Sequence, residues 1–370
     1  MKVNKAYKFR LVPTPSQEVI LSKSVGSCRF IYNHFLQLNI DTYAKTEKFV
    51  FSVEMINKLP ELKEQYPFLK EVFSQSLQQA CRNLDTALKR FFKGLAEFPK
   101  FKKKGKHDSF TCPQKFRILQ DKNRIMIPKV GLVKYRNSRP IEGKVKSITV
   151  SRKAGNWYVS VLTEQEFIEQ VKTFNNPVGI DVGLKSFAFL SNGTEIKNPK
   201  FYRTLEEKLK TAQRKLSSKV KFSKNWLKQK LKVSRLQEHI ANCRYNFLHK
   251  ESTKIVKNHD VLGIEDLNVK GMVKNRKLAK SIHDVGWGKF NEMLDYKTFF
   301  QSKTLVKVGR FYPSSQLCSN PECDGKKLMP LHLRTYVCEK CNAVIDRDYN
   351  ASKNIEIEAI RLCTAGHAGC

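Results

Sequence analysis

The sequence predicts an α+β protein of several domains, and three observations support this prediction. Strand-like segments open the chain and return between residues 110 and 163, with a helical stretch between them. A second set of apolar strands, separated by long cationic helices, begins at residue 178. Four closely spaced cysteines follow in the last sixth of the chain. A length of 370 residues accommodates two or three such domains.

The composition is strongly basic. Lys and Arg number 69 against 34 Asp and Glu, which gives a net charge of +35. Such a balance favours a polyanionic partner, because phosphate neutralisation releases counterions. No run approaches the roughly 18 apolar residues of a membrane span, and the first residues lack the apolar core of a signal peptide. We therefore expect a cytoplasmic nucleic-acid-binding protein, without a membrane partner, whose cysteines are reduced or metal-bound.

The N-terminal half alternates between strands and helices. Residues 1–12 alternate as a strand, and Thr14, Pro15 and Gln17 then mark a helix start as N-cap, N1 and N3 residues. A second helix is predicted over residues 74–93, and strands separated by hairpin turns return up to residue 162. We expect a small antiparallel β-barrel, formed by residues 1–13 and 96–165, that carries residues 14–95 as an inserted helical module.

A basic loop follows the helical module. Residues 98–107 interleave aromatic side chains with cations, a combination that suits phosphate contact and base stacking. The loop predicts nucleic-acid binding, although a solvated basic loop would explain the same pattern. The candidate contacts are Lys100, Lys102, Lys103 and Lys104.

Two acids in the second half end or interrupt apolar strands. Asp181 lies in the run Val178–Leu184, where an unpaired carboxylate is costly unless a metal or hydrogen bonds compensate it. Glu265 closes the apolar run that begins after Asp260. Between them, residues 202–258 predict a helical pair with one apolar and one cationic face, and the lysine-rich residues 270–284 predict a mobile connection.

The cysteine cluster has the spacing C-x4-C, fourteen residues, C-x2-C. Four close cysteines in a reducing compartment indicate a closed, structural zinc site of the ribbon type. The alternative is four free thiols at chance spacing. The predicted ligands are Cys318, Cys323, Cys338 and Cys341.

A third acidic motif, Asp346–Ala351, follows the cysteines at the start of a predicted helix. Taken singly, each acid has a structural explanation, and Asp348 in particular could cap its helix. Taken together, Asp181, Glu265 and Asp348 form a set of hard oxygen ligands that suits Mg²⁺ or Mn²⁺. Two such ions about 3.5–4 Å apart would support phosphodiester hydrolysis. The residues alone leave the third ligand open between Asp348 and Asp346.

The ordered motifs identify a resemblance that covers essentially the full chain. Gly179–Gly183, Ile264–Leu267, the cysteine cluster and Asp346–Ala351 resemble the TnpB (OrfB) proteins of bacterial and archaeal insertion sequences, apparent relatives of type V CRISPR effector nucleases. The resemblance implies an RNase H-like RuvC nuclease domain (173–312 and 345–370) interrupted by a zinc ribbon (313–344). It also implies that the barrel is a wedge domain and the helical module a recognition module. The first knuckle departs from the C-x2-C of many relatives.

The resemblance also implies a function. An RNA derived from the end of the element would guide cleavage of double-stranded DNA beside a short target-adjacent motif. Asp181, Glu265 and Asp348 would be the catalytic metal ligands, with Asp348 favoured over Asp346, and Gln75 and Gln79 are candidates for reading the motif. We expect one chain per guide RNA, associated with the nucleoid when DNA is bound. The alternatives are a catalytically silent RNA-guided DNA-binding protein and a transposase.

Overall fold

The computed structural model describes residues 1–330 and 332–366. The chain divides into two compact units, Met1–Phe167 and a second unit that begins at Ile168. Residues 367–370, which the predicted nuclease domain includes, lie outside the described residues. Over the part of the chain that is described, no helix has both the length and the apolar character that crossing a membrane requires.

The first unit contains a seven-stranded antiparallel sheet in the order β2-β6-β7-β1-β5-β4-β3. Strand β1 lies in the middle and pairs with β7 from Lys2 opposite Glu166 to Leu11 opposite Trp157. The return of the chain to strands after the helices is therefore confirmed. Strands β2 and β3 are the two outermost strands of this sheet. Closure of the sheet into a barrel therefore stays a prediction. The strands are β1 (Lys2–Val12), β2 (Ser109–Cys112), β3 (Arg117–Leu119), β4 (Arg124–Ile127), β5 (Gly131–Tyr135), β6 (Lys144–Lys153) and β7 (Asn156–Glu166).

Four α-helices and one 3₁₀ turn (Pro67–Glu71) lie between β1 and β2. The first begins as predicted: the Thr14 hydroxyl accepts from the Gln17 amide, and the Gln17 side chain accepts from the Thr14 amide at 3.0 Å. This reciprocal capping box satisfies two amides that the helix leaves unpaired. The helices are α1 (Pro15–Thr46), α2 (Ser52–Asn57), α3 (Leu59–Gln65) and α4 (Ser74–Phe92).

The second unit is built on a mixed five-stranded sheet in the order β10-β9-β8-β11-β12. Strands β8, β11 and β12 are parallel, whereas β9 and β10 are antiparallel additions at one side. Parallel strands point their carboxyl ends to the same edge, and this edge carries the acids described below. The strands are β8 (Pro177–Val182), β9 (Ser186–Leu190), β10 (Glu195–Lys197), β11 (Val261–Glu265) and β12 (Thr304–Val308).

Six helices lie in the described part of the second unit, together with a two-stranded hairpin of β13 (Thr335–Val337) and β14 (Val344–Asp346). The cationic pair is confirmed as α5 and α6, which pack through an apolar cluster that contains Leu209, Val233 and Ile240. The helices are α5 (Phe201–Ser217), α6 (Lys224–Asn258), α7 (Val269–Met272), α8 (Arg276–Val285), α9 (Trp287–Phe300) and α10 (Arg347–Thr364).

The expectation of a mobile connection over residues 270–284 is wrong. Most of this segment is helical, and α8 buries Ile282 and Val285 in the core of the second unit. Its Asp284 carboxylate accepts from the Tyr202 amide and from the Arg244 guanidinium, both at 3.0 Å. The many lysines obscured the two apolar residues that attach this helix to the core.

Helix α10 lies against the sheet at two glycines. Gly179 of β8 and Gly263 of β11 stand opposite each other in the parallel register. A methyl group on Gly179 would lie 1.9 Å from the Ser352 carbonyl oxygen, and one on Gly263 would lie 2.7 Å from Ala359 Cβ. The absence of side chains at these positions therefore allows the helix backbone to reach the sheet.

Candidate active site and metal centre

Two of the predicted carboxylates stand side by side at the carboxyl ends of two neighbouring parallel strands. Asp181 is near the end of β8, and Glu265 is the last residue of β11. The register pairs Ile180 with Ile264, which places the two acids at neighbouring positions on adjacent parallel strands. Both side chains are half-buried. The predicted apolar strands thus bring together two acids that are 84 positions apart in the sequence.

The third acid comes from the first turn of α10. Asp346 is the N-cap of this helix, and its Oδ1 accepts from the amides of Asp348 at 2.9 Å and Tyr349 at 3.1 Å. The alternative that Asp348 caps the helix is therefore wrong. The half-buried Asp348 carboxylate instead faces the Arg334 guanidinium at 3.5 Å. Because the Asp346 carboxylate already accepts two backbone hydrogen bonds as the N-cap, Asp348 is the better candidate for the ligand.

The electrostatics connect the three acids. Burial raises the pKa of Asp181 well above its ordinary value, and the negative charges of Glu265 and then Asp348 raise it further. Arg347 opposes these effects, and Asp346 adds less than Asp348 does. A cation would stabilise a buried aspartate that two neighbouring carboxylates repel in this way.

The donor set fits a hard divalent cation. It consists of carboxylate oxygens, the ligands that Mg²⁺ and Mn²⁺ prefer. In the ranges that the structure describes, the three acids do not form a group whose ligand oxygens all lie within 4.8 Å of one another. The arrangement is therefore more open than a single-ion cage.

A serine and an arginine that sequence reasoning missed contact this site. Ser314 Oγ donates to Glu265 Oε1 at 2.6 Å from the segment that follows β12. The Asp266 carboxylate, which follows Glu265 in the chain, pairs with the Arg310 guanidinium at 2.6 Å. The Arg334 contact with Asp348 was also missed. No local pattern could indicate these pairs, since their members lie far apart in sequence or on separate elements.

The four predicted cysteines converge. Their sulfur atoms all lie within 4.8 Å of one another. The Cys318–Cys341 and Cys323–Cys338 sulfur distances are 3.7 and 3.6 Å. A tetrahedron with zinc–sulfur bonds of about 2.3 Å has sulfur–sulfur edges of about 3.8 Å. The geometry therefore fits a structural zinc site.

The surroundings of one sulfur atom, Cys338 Sγ, favour the thiolate form. Hydrogen bonds from the backbone of Cys341 and Lys340 lower the pKa of Cys338 to about 6. In the longer first knuckle, the Gly325 amide donates to Cys323 Sγ at 3.4 Å. A methyl group on Gly325 would lie 2.6 Å from Cys338 Sγ, so this turn approaches the sulfur atoms closely.

The candidate lysines of the basic loop differ in their exposure to solvent. Lys103 and Lys104 are exposed, and Lys100 is exposed but pairs with Glu97 at 2.7 Å. Lys102 is half-buried, with its ammonium group 3.9 Å from the centre of the Tyr32 ring. Two backbone hydrogen bonds to the Asn33 side chain, of 2.8 and 2.9 Å, also hold Lys102. Lys102 therefore anchors the loop to α1.

The two glutamine candidates lie on α4 and are half-buried. Gln75 donates to Gln114 Oε1 at 3.3 Å, and Gln79 donates to Asn83 Oδ1 at 3.1 Å. The Gln75 Oε1 atom is buried without a hydrogen-bond partner among the described residues. These side-chain amides would have to exchange partners in order to contact a base.

Family profiles match three parts of the chain. Residues 158–276 match the OrfB_IS605 family, described as "Probable transposase". Residues 287–355 match the "Cas12f1-like, TNB domain". Residues 1–48 match the HTH_OrfB_IS605 "Helix-turn-helix domain", a region where the structure has β1 and α1.

Two relatives match over nearly their whole length. InsQ, a candidate RNA-guided DNA endonuclease of Escherichia coli (strain K12), is 36% identical over 100% of this chain and 94% of its own length. A candidate RNA-guided DNA endonuclease of Streptomyces pristinaespiralis is 37% identical over 99% and 92%.

A solved structure shares the fold. It is described as the cryo-EM structure of the Cas12f1-sgRNA-target DNA complex, and its matching chain aligns with a TM-score of 0.55 at 14% identity. The alignment covers 96% of this chain and 99% of that chain. With this α+β fold and relatives of more than 35% identity along their length, the chain belongs to the OrfB (TnpB) family of insertion-sequence proteins, as its motifs predicted.

Proposed function

We propose that this protein is an RNA-guided DNA endonuclease of an insertion sequence. The proposal rests on the grouping of Asp181 and Glu265 at the carboxyl ends of β8 and β11 with Asp348 of α10 close enough to act on them: burial, then the charges of Glu265 and Asp348, raise the pKa of Asp181. The names of the relatives agree with this activity. Residues 173–312 and 345–370 would form the RNase H-like RuvC domain, with a zinc ribbon at residues 313–344.

The three carboxylates would hold Mg²⁺ or Mn²⁺ in a two-ion site. When bound, such ions supply an activated water and stabilise the leaving oxygen in phosphodiester hydrolysis. The protein's own part is to fix the ligands, because β8 and β11 are hydrogen-bonded to each other and α10 packs on both. Asp346 caps α10 and thereby holds the first turn from which Asp348 projects. The cysteines would hold zinc and close the hairpin that leads directly into this helix.

The positive surface would bind the nucleic acids. In an RNA-guided enzyme base pairing reads the sequence, and the protein grips the heteroduplex through its backbone. The cationic sides of α5 and α6 and the exposed Lys103 and Lys104 suit this role, whereas Lys102 acts as the loop's anchor. The wedge (1–13 and 96–165) and the recognition module (14–95) would present Gln75 and Gln79 to the target-adjacent motif. One chain would bind one guide RNA.

A transposase is the second candidate, because the family profile that matches residues 158–276 carries that description. A strand-transfer assay with the element's ends separates it from a nuclease, which yields cut but unjoined DNA. A silent RNA-guided binding protein is disfavoured, since all three carboxylates are present and Glu265 and Asp348 both act electrostatically on Asp181.

The decisive experiment starts with the RNA that copurifies with the protein. Sequencing this RNA gives the guide, and a plasmid library that carries its complement beside randomised flanking bases reports the motif. We expect Mg²⁺-dependent cleavage by the wild type. Asp181→Ala should bind the RNA without cutting, while Asp295→Ala, which removes an exposed carboxylate of α9, should cut normally. Undiminished cutting by the Asp181 variant would refute the proposal.

A further inference from the structure

We infer that Ser314 is a positioning residue for Glu265 and that Asn354 holds Ser314 in place. The inference rests on the proposed nuclease function and goes beyond it, since Ser314 belongs to none of the acidic motifs. Ser314 is 5% exposed, and its hydroxyl donates to Glu265 Oε1 at 2.6 Å. A hydrogen bond to a carboxylate at this distance is of the strong, charge-assisted kind.

Glu265 requires such a contact more than Asp181 does. It is the last residue of β11, and a glutamate side chain has one more rotatable bond than an aspartate. Each freely rotating bond raises the entropy cost of fixing a ligand in place. The Ser314 hydroxyl fixes one carboxylate oxygen and so limits the rotation of the other, which stays available as a ligand atom. Hydrogen bonds of this kind orient ligating carboxylates in metal sites generally.

Ser314 is itself held by α10. The Asn354 side-chain amide donates to the backbone oxygens of Ser314 at 2.7 Å and Leu317 at 2.8 Å. One turn earlier, Asn350 donates to the Leu317 oxygen at 2.6 Å and accepts from the Ser319 amide at 3.0 Å. These asparagines are 2% and 0% exposed, so water does not compete for the contacts.

The arrangement joins two ligands through one helix. Helix α10 carries Asp348 in its first turn and, through Asn354 and Ser314, orients Glu265 on β11. The clamped segment continues directly into Cys318, so the zinc ribbon and the carboxylate site share this support. If this segment moved, the Ser314 hydroxyl would therefore lose its position against Glu265 even though the sheet itself stayed in place.

The test measures metal binding separately from cleavage. Mn²⁺ is titrated into the protein–RNA complex without DNA and followed by electron paramagnetic resonance, and cleavage is measured over the same Mn²⁺ range. Ser314→Ala should weaken Mn²⁺ binding about 10- to 100-fold, the usual cost of losing a hydrogen bond to a ligand, and cleavage should recover at high Mn²⁺. Ser314→Thr keeps the hydroxyl and should stay close to the wild type. Ser315→Ala, which removes the adjacent hydroxyl, is the matched control.

A double-mutant cycle tests the route of the effect. In a Glu265→Ala background, which removes the acceptor of this hydrogen bond, Ser314→Ala should cause little further loss of Mn²⁺ affinity, because Ser314 acts only through Glu265. Should the alanine variant fail to fold, Ser314→Cys has a similar size and a weaker donor and carries the same expected direction. Wild-type Mn²⁺ binding by a folded Ser314 variant would overturn the inference, as would additive losses in the cycle. Cutting by Asp181→Ala would instead refute the nuclease function itself.

Discussion

Replacing Gly179 by alanine would insert a methyl group into the contact between β8 and α10. The added carbon would lie 1.9 Å from the Ser352 carbonyl oxygen and 2.5 Å from the Glu356 amide nitrogen. Real contacts of this kind essentially never fall below 3.0 Å, so the helix must move away by about 1 Å. Both opposing groups are backbone atoms, and no side-chain rotation can relieve the clash.

The magnitude follows from this displacement. Overpacking costs about 1–3 kcal/mol, and a clash with backbone belongs at the upper end of that range. For a unit of about 200 residues, this lowers the melting temperature by roughly 5–10 °C. Because α10 carries Asp348, a shift of about 1 Å should also reduce cleavage about 100-fold. Guide-RNA binding should change little, since the substitution is buried under the helix.

The assay compares thermal unfolding and plasmid cleavage of the protein–RNA complex. Gly288→Ala is the matched control, because Gly288 is exposed on α9 and an added methyl group would have nothing within 4 Å. Alanine there should be neutral or stabilise the helix by up to about 1 kcal/mol. A Gly179→Ala protein with wild-type melting temperature and cleavage would refute the proposed role of the glycine contact.

Three further predictions follow from the site. Asp348→Asn should abolish cleavage, whereas Asp346→Asn keeps an equally favoured N-cap and should retain it; equal losses would contradict the assignment of the third ligand. Asp181→Asn should raise the melting temperature of metal-free protein at neutral pH. The folded-state pKa of Asp181 lies above its ordinary value of 3.8, so wild-type stability falls as pH rises from 3.8 through the folded-state pKa, and the variant's advantage should vanish near pH 3.8. A melting series in EDTA checks this, and a pH-independent difference would disprove it. Cys338→Ser should lower both zinc content and melting temperature, because structural zinc contributes folding free energy; unchanged values in elemental analysis and thermal unfolding would exclude the zinc site.

Much of the second unit could be predicted because its signals are local. Apolar runs indicated β8 and β11, and cysteine spacing indicated the cluster that the structure brings together. The choice between Asp346 and Asp348 could not be made locally, because aspartate suits both a helix cap and a metal ligand. Backbone geometry separates the two: Asp346 has the non-helical ψ of 136° that an N-cap requires, and Asp348 already lies inside the helix, which supports Asp348 as the predicted ligand.

The two glycines under α10 also show which features the sequence reveals and which depend on the tertiary structure. Gly179 and Gly263 were visible in the sequence, but their common purpose depends on a register between strands that are about 80 positions apart and on the helix that crosses both. Helix α8 was missed because its lysines dominate the local composition, whereas the buried Ile282 and Val285 determine where it packs.

The sequence by itself determined the chemistry of this protein: three acids in or beside apolar elements, four cysteines at ligand spacing and a large excess of cations. These features are local, so composition and periodicity reveal them. Only the tertiary structure decided which groups meet, namely Asp181 beside Glu265, Asp348 on a helix seated on two glycines, and Ser314 on Glu265 across 49 positions. Such contacts arise from strand register and close packing, which depend on the whole fold and leave no pattern in any single segment.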